Sequence, residues 1–368
     1  MIRVLHVICD LSGGGAERLV LDLCREGLVH QEVAPVHGEP RVLAEAFRLS
    51  SIRVHPGTRE RGTTGLTTVA RIARLARGFD LVHTHLYAGD TWGRPAAWLA
   101  GKPVVTTEHN VNRDESRSQR LVKRTLAPLT EHLAYVSEAA RRYAIDHERI
   151  CHPHTRVIPN GIDLTRFQRV TRVPAPQGPV RLLAVGRDVQ QKGFDILVRA
   201  LPSGVHLRIA GATRQAPGLR VVGEAATMEW LGERDDVPEL LAETDILVVP
   251  SRWEGFGLAA LEGMAAGVAV VASNVDGLPD VLGDVGVLVA KEDPAQLRRC
   301  LASLAGDAPE RDRRGALGRQ RAEVFSIKTC AERYAALYAE VIASRDAADS
   351  RPFRNLTETC LFPARSIR

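Results

Sequence analysis

Short apolar runs bounded by glycine, proline and small polar residues alternate along this chain with longer stretches whose apolar positions fall three and four apart. That alternation predicts buried parallel strands joined by helices, an α/β fold. The clearest instance lies between Asp245 and Gly283. There Ile246 to Val249 reads as a buried strand, followed by a Pro-Ser turn and a glycine-broken loop. A helix from about Gly257 to Ala266 comes next, and Gly267 stops it before a second strand, Val268 to Ala272. Upstream, strands are expected at Ile2 to Cys9, Glu32 to His37, Ile52 to His55, Asp80 to His85, Lys102 to Asn110 and Leu133 to Val136. Helices are expected from Ala16, at Arg41 to Leu49 and at Leu66 to Arg77. Downstream come strands at Val180 to Gly186 and Val205 to Gly211, and helices at Phe194 to Leu201, Pro238 to Thr244, Pro294 to Ala305 and Ala308 to Val324. A last helix, 326–345, carries Tyr334 and Tyr338 four apart, a spacing read as core packing.

The polar, proline-rich connector Leu164 to Pro179 divides the chain into domains at 1–172 and 178–325, with a non-periodic tail at 346–368. A length of 368 residues suits two such domains. No uncharged apolar run approaches the roughly 18 residues of a membrane span. The opening MIRVLHVICDLSGGG lacks a signal peptide's apolar core and reads as a strand, so a cytoplasmic protein is expected. Six scattered cysteines without a CxxC pair fit reduced thiols. His147, Cys151, His152 and His154 cluster in sequence, but an intervening proline and the lack of a second ligand pair argue against a metal.

Charge changes the picture in one place. The formal net charge of +5 is modest, yet Arg113, Arg117, Arg120, Lys123 and Arg124 fall within one short stretch. Without interleaved aromatic residues it does not suggest nucleic acid. It reads either as a face for an anionic membrane or phosphorylated acceptor, or as a solvated face.

Two carboxylates mark the chemistry, Glu254 in the glycine loop and Glu262 eight residues on. If the segment were all helical, that spacing would be about 12 Å of rise, near the separation of the two sugars of a nucleoside-diphosphate sugar. The intervening helix start offers N–H groups to a diphosphate. Arg187 and Lys192 flank a turn after a strand, where fixed cations would stabilise a departing diphosphate. Gly13-Gly14-Gly15 follows the first strand without the third glycine of a dinucleotide fingerprint.

These residues carry a resemblance. EGFGLAALE is similar to the E-x7-E signature of family 4 glycosyltransferases, a retaining group with the GT-B fold of two facing Rossmann-like domains. GGGAER resembles that family's first glycine loop, PNGID its end-of-domain turn, and VGR…KGFD its donor-phosphate turn; Gly211-Ala212-Thr213 departs from its usual glycine-proline pattern. The resemblance spans about residues 1–345 and implies parallel sheets, with the last helix crossing back to the first domain. It implies transfer of a sugar from a nucleotide donor to a saccharide or lipid-linked acceptor, with no metal or other cofactor. By this match Arg187 and Lys192 hold the diphosphate, Glu254 faces the donor sugar, and Gly255, Phe256, Gly257 and Leu258 lie near the phosphate. Glu262 takes the ribose hydroxyls, while His109, Gly14 and Gly15 border the transfer point. His83 and His85 read as structural. A sugar-nucleotide 2-epimerase of the same layout and a non-catalytic membrane-surface protein are the rival readings.

Overall fold

A computed structural model of the chain describes residues 1–38, 42–59, 64–169, 171, 173, 178–211, 218–222 and 226–349. Among these, the strands assemble into two sheets. The first contains β1 (Arg3–Ile8), β2 (His30–Pro35), β3 (Leu81–His85), β4 (Val104–Glu108), β5 (His132–Tyr135) and β6 (Thr155–Val157). Their order is β2-β1-β3-β4-β5-β6, all parallel. The second contains β7 (Val180–Val185), β8 (Val205–Ala210), β9 (Gly218–Val222), β10 (Ala226–Gly232), β11 (Ile246–Val249), β12 (Ala269–Ser273) and β13 (Val287–Val289). Its order is β13-β12-β11-β7-β8-β10-β9, and β9 alone runs antiparallel to its neighbour.

Strands β3, β4, β11 and β12 are buried at every position, because helices cover both faces of a parallel sheet; this shows as near-continuous apolar runs in β11 and β12, while β3 and β4 end in buried polar residues. In each sheet the strand order reverses beside the first strand, between β1 and β3 and between β7 and β11. Ligand crevices of open α/β sheets form beyond the carboxyl ends of strands at such reversals. Two topological switch points therefore define where the two lobes offer a site.

The final helix, Ile327–Asp349, returns to the first lobe. Tyr334, Leu337, Tyr338 and Val341 are buried there with Val4, Leu19, Leu23 and Ile158. Its entry is fixed at the PNGID turn, where the Ile162 N–H donates to the Phe325 carbonyl (3.1 Å) and the Ile327 N–H donates to the Ile162 carbonyl (2.9 Å). The turn thus ties the end of the first lobe to the start of the returning helix.

Several expectations need correction. A helix at Leu86–Leu99 was not anticipated, because Gly89, Gly93 and Pro95 all disfavour one. Packing overrides that preference: a β-carbon on Gly89 would sit 2.4 Å from the Val7 carbonyl oxygen, so glycine lets the helix lie flat on β1. The β9–β10 pair was also missed, although the alternating burial of β10 is the usual signature of a strand with one wet face. Ile52 to His55 forms only an isolated bridge, Val54 to Val33, rather than a strand. The last helix continues to Asp349, past the expected end at 345. Arg41, Ala212, Thr213 and residues 350–368 lie outside the described residues.

Candidate active site

The loop between β11 and the helix Leu258–Ala265 lies against the carboxyl end of β4 in the other lobe. A β-carbon on Gly255 would fall 2.3 Å from the His109 carbonyl oxygen and 2.6 Å from the Asn110 Cα, so only glycine allows this approach. The Ser137 hydroxyl donates to the Gly255 carbonyl at 2.6 Å, again across the seam. Gln191 donates its amide to Asn110 Oδ1 (3.3 Å) and to the Trp253 carbonyl (3.0 Å). The Glu254 N–H donates to Asp276 Oδ2 (3.1 Å), and Arg113 of the first lobe donates to Asp276 Oδ1 (2.7 Å). On the opposite rim Gly15 faces Leu258 so closely that a β-carbon would lie 2.7 Å from its Cδ1.

Inside this seam Lys192 Nζ donates to Glu254 Oε2 at 2.7 Å, and the Ser251 hydroxyl donates to the same oxygen at 3.3 Å. Lys192 closes a short turn, Gln190–Lys192, after β7. Arg187, also after β7, is exposed; burial holds the carboxyl of Glu17 above its ordinary value, and the charge of Arg187 offsets part of that rise. Glu17 sits in the first turn of the helix that the Gly14-Gly15 loop opens. The loop helix begins at Leu258 with Gly257 as its N-cap (φ 104°), and no side chain caps it. Glu254 sits in the loop ahead of that helix and Glu262 in its second turn, as the sequence suggested, so the separation of the two is not the rise of a single helix. Phe256 turns its ring into the core against Phe325, leaving only its backbone for a ligand.

Glu262 occupies a small pocket with Arg18, Asp22, Asp163, Arg166 and Leu258. Burial pushes its carboxyl up to about 7, while Arg166 and Arg18 pull in the opposite direction. Arg18 and Arg166 were missed in the sequence, although Arg18 is the last residue of GGGAER and Arg166 follows PNGID by three residues. Gln191, Asp276 and Ser137 were missed as well, and nothing local marks them, since they act by bridging lobes.

The basic stretch does not form one face. Lys123 is 2% exposed and lies 2.9 Å from Glu148, 3.1 Å from Glu108 and 3.5 Å from Glu115. Arg113 is engaged with Asp276. Arg117 and Arg124 remain exposed and Arg120 half-buried. His152 donates from Nε2 to the Thr130 carbonyl (2.8 Å) and accepts at Nδ1 from the His154 N–H (3.2 Å). Among the described residues, the histidines that cluster with metal-ligand spacing are instead His6, His83 and His85.

A phosphatidyl-myo-inositol mannosyltransferase of Mycobacterium tuberculosis is 30% identical over 323 residues, covering 79% of this chain and 83% of that protein. Residues 13–166 match the description Glycosyltransferase Family 4, and residues 179–307 match Glycosyl transferases group 1. The chain belongs to glycosyltransferase family 4. A D-inositol 3-phosphate glycosyltransferase of Segniliparus rotundus is 31% identical over 318 residues, covering 75% of this chain and 69% of that protein. The glycogen synthase of Mycobacterium tuberculosis is 36% identical over 205 residues, a match spanning 50% of this chain but only 47% of that protein. The fold is shared with HepE of Anabaena in complex with UDP and glucose, at a TM-score of 0.81 and 19% identity over 92% of this chain and all of that one. Sucrose-phosphate synthase of Thermosynechococcus elongatus superposes at a TM-score of 0.74, with 19% identity over 94% of this chain. This family 4 chain thus has the GT-B architecture, two parallel-stranded lobes with the site-bearing loops of each facing the other.

Proposed function

We propose that the protein transfers a sugar from a nucleoside-diphosphate donor to a saccharide or lipid-linked acceptor, without a metal and with retention at the anomeric carbon. The observation that carries this reading is the Lys192–Glu254 pair, held at the interlobe seam beside His109. In the step envisaged, the bond from the anomeric carbon to the phosphate oxygen breaks and the diphosphate leaves with the electron pair. Lys192 and Arg187 stabilise the charge that grows on it. The acceptor oxygen bonds to the same face of that carbon, and its proton passes to the departing phosphate oxygen, so no protein base is required. Glu254 orients the sugar, the N–H groups at Gly257 and Leu258 meet the phosphate, and Glu262 accepts from the ribose hydroxyls. Surface polysaccharide or glycolipid synthesis is the setting this reading favours, since two relatives carry an inositol phosphate or phosphatidyl-inositol in their names.

No helix among the described residues is long and apolar enough to cross a membrane. Arg117, Arg120 and Arg124, beside exposed Leu121, are what remains of the basic stretch to meet an anionic bilayer carrying a lipid-linked acceptor.

The test is a thermal-shift screen of UDP, GDP, ADP and their sugars, followed by turnover of the best donor with the product anomer assigned. UDP-glucose comes first, because HepE has been solved in complex with it. A true donor raises the melting temperature by mass action. No shift with any nucleotide, or an epimerised donor formed without acceptor, would overturn the proposal; anionic vesicles in a parallel pelleting assay address the membrane face.

Donor binding should also depend on pH with a defined sign. Glu262 accepts from two hydroxyls only as a carboxylate, and its carboxyl titrates near 7. Affinity for UDP-glucose is then complete above that value and falls as pH drops through it, by about tenfold between pH 8 and pH 6. Calorimetric titration at the two values checks it, and Glu262→Gln should flatten the profile.

A further inference from the structure

Behind His109 runs a chain of buried side chains that no step of the proposed reaction touches. His109 Nε2 lies 2.9 Å from His85 Nδ1, and His85 Nε2 lies 2.9 Å from His6 Nδ1. His6 Nε2 lies 2.8 Å from Gln31 Oε1, and Gln31 Nε2 donates to the Leu23 carbonyl at 2.9 Å. His6 and His85 are wholly buried, so neither reaches a ligand. The near end of the chain is unfilled: His109 Nδ1 is buried and has no hydrogen-bond partner among the described residues. His83 lies against His85, with ring centroids 4.0 Å apart and planes tilted by 42°, but spends its own nitrogens on Tyr338 and Thr107.

The far end of this chain determines every proton in it. A backbone carbonyl only accepts, so the Gln31 NH2 group must face Leu23 and its oxygen must face His6. His6 then carries its proton on Nε2 and presents a lone pair at Nδ1. His85 must fill that lone pair with its own Nε2–H, which leaves His85 Nδ1 bare, and His109 fills that with Nε2–H in turn. Each ring has one proton to give, because burial drives His6 and His109 down to about 4 and holds His85 well below its ordinary range. Only one arrangement satisfies all three contacts, and it leaves His109 Nδ1 as an acceptor. The chain ends in an amide and a carbonyl, neither of which takes up a proton, so it locks tautomers and does not conduct protons.

We propose that His85 and His6, with Gln31, are positioning residues that hold His109 in its Nε2–H tautomer and so reserve its Nδ1 lone pair for a hydroxyl in the interlobe cleft. That a sugar supplies this hydroxyl rests on the transferase reading; the tautomer does not. The same arrangement argues against a metal at His6, His83 and His85, because all six ring nitrogens of that trio already have partners.

The experiment is nitrogen-15 NMR of the histidine side chains in the full, ligand-free chain near pH 7, assigned by single-histidine variants. His6, His85 and His109 should each show a protonated Nε2 and a bare Nδ1. A proton on His109 Nδ1 would overturn the proposal whatever the reaction proves to be. Two variants at the far end add a functional reading. His6→Asn keeps an oxygen acceptor near the place of Nδ1, whereas His6→Leu removes it and frees His85 to turn its proton toward His109. With melting temperature monitored to confirm folding, His6→Leu should shift the His109 signals and lower kcat on UDP-glucose or the screened donor by about 10- to 100-fold. His6→Asn should restore most of both. Equal loss in the two variants with an unmoved His109 spectrum would leave only a packing role. Correct tautomers with no turnover on any sugar nucleotide would instead sink the transferase reading and spare the lock.

Discussion

Lys192→Ala is expected to lower the transfer rate by about 100- to 1000-fold while leaving the fold intact. Among the described residues the ammonium is the one cation paired with the signature carboxylate, 2.7 Å from Glu254 Oε2. Its role as proposed is to meet charge that is small in the ground state and grows as the diphosphate departs, so the loss should fall on kcat more than on donor affinity. Stability should change little, because a partly exposed ion pair contributes about 0–1 kcal/mol. Lys192→Arg should recover only part of the rate. It keeps the charge, but a planar fork cannot occupy the place of a compact ammonium whose stem passes beside Gly186. Glu254→Ala should be comparably slow, since it removes the sugar contact and the anchor of Lys192 together. Steady-state kinetics with the screened donor, beside melting curves, measure all three. Full rates in both Lys192→Ala and Glu254→Ala would refute the assignment of the site.

Lys123→Met, by contrast, should leave no defect specific to chemistry but cost about 3–5 kcal/mol of stability, as removal of one partner from a buried ion cluster does. Three carboxylates converge on this one ammonium, which is 2% exposed. Arg94, another buried cation, reaches Glu108 only at 4.0 Å and pairs with Asp90 at 3.4 Å. Crowding has already pushed the carboxyl of Glu115 up to about 7, burial being the main cause and its neighbours Glu108 and Glu148 adding to it. Burial already holds the Glu148 carboxyl above its ordinary value, while Lys123 helps to hold that of Glu108 below it. Without Lys123 the two face each other across a dry interior, both shift upward, and both then lie above the values of the unfolded chain. Groups raised in this way destabilise as pH increases, because the unfolded state then holds fewer protons. The deficit should accordingly be largest above neutrality and narrow as pH falls toward 5. A melting temperature lower by about 5–10 °C at pH 8 is expected. Arg117→Met on the same helix, at an exposed position, should melt close to the parent. A Lys123→Met protein melting within a degree of the parent would show that the cluster is not the keystone of this end of the lobe.

The contrast between those two residues illustrates what local pattern reveals. In sequence Lys123 is one of five cations in a short stretch, indistinguishable from Arg120 and Arg124, and it was read with them as surface. The helix Arg117–Leu126 turns it inward, where it meets Glu108 from β4 and Glu148 from beyond the next strand. No neighbour in the chain announces that meeting. Lys192 and Glu254 were legible because each sits in a motif with its own chemistry, glycine turns at strand ends.

The sequence by itself determined the alternation of parallel strands and helices, the last helix with its buried tyrosines, the loops that bear Lys192, Glu254 and His109, and the helix that bears Glu262; that the last helix returns to the first lobe came from the family resemblance alone. The sequence could do so because apolar periodicity, helix stops and glycine turns are properties of consecutive residues. Only the tertiary structure decided the glycine-rich helix Leu86–Leu99, the burial of Lys123, the bridges from Arg113, Ser137 and Gln191 across the seam, and the line of imidazoles from Gln31 to His109. Each depends on groups far apart in the chain sharing one low-dielectric space. There an unpaired charge or lone pair is costly, and a partner is chosen by position in three dimensions and not by distance along the sequence.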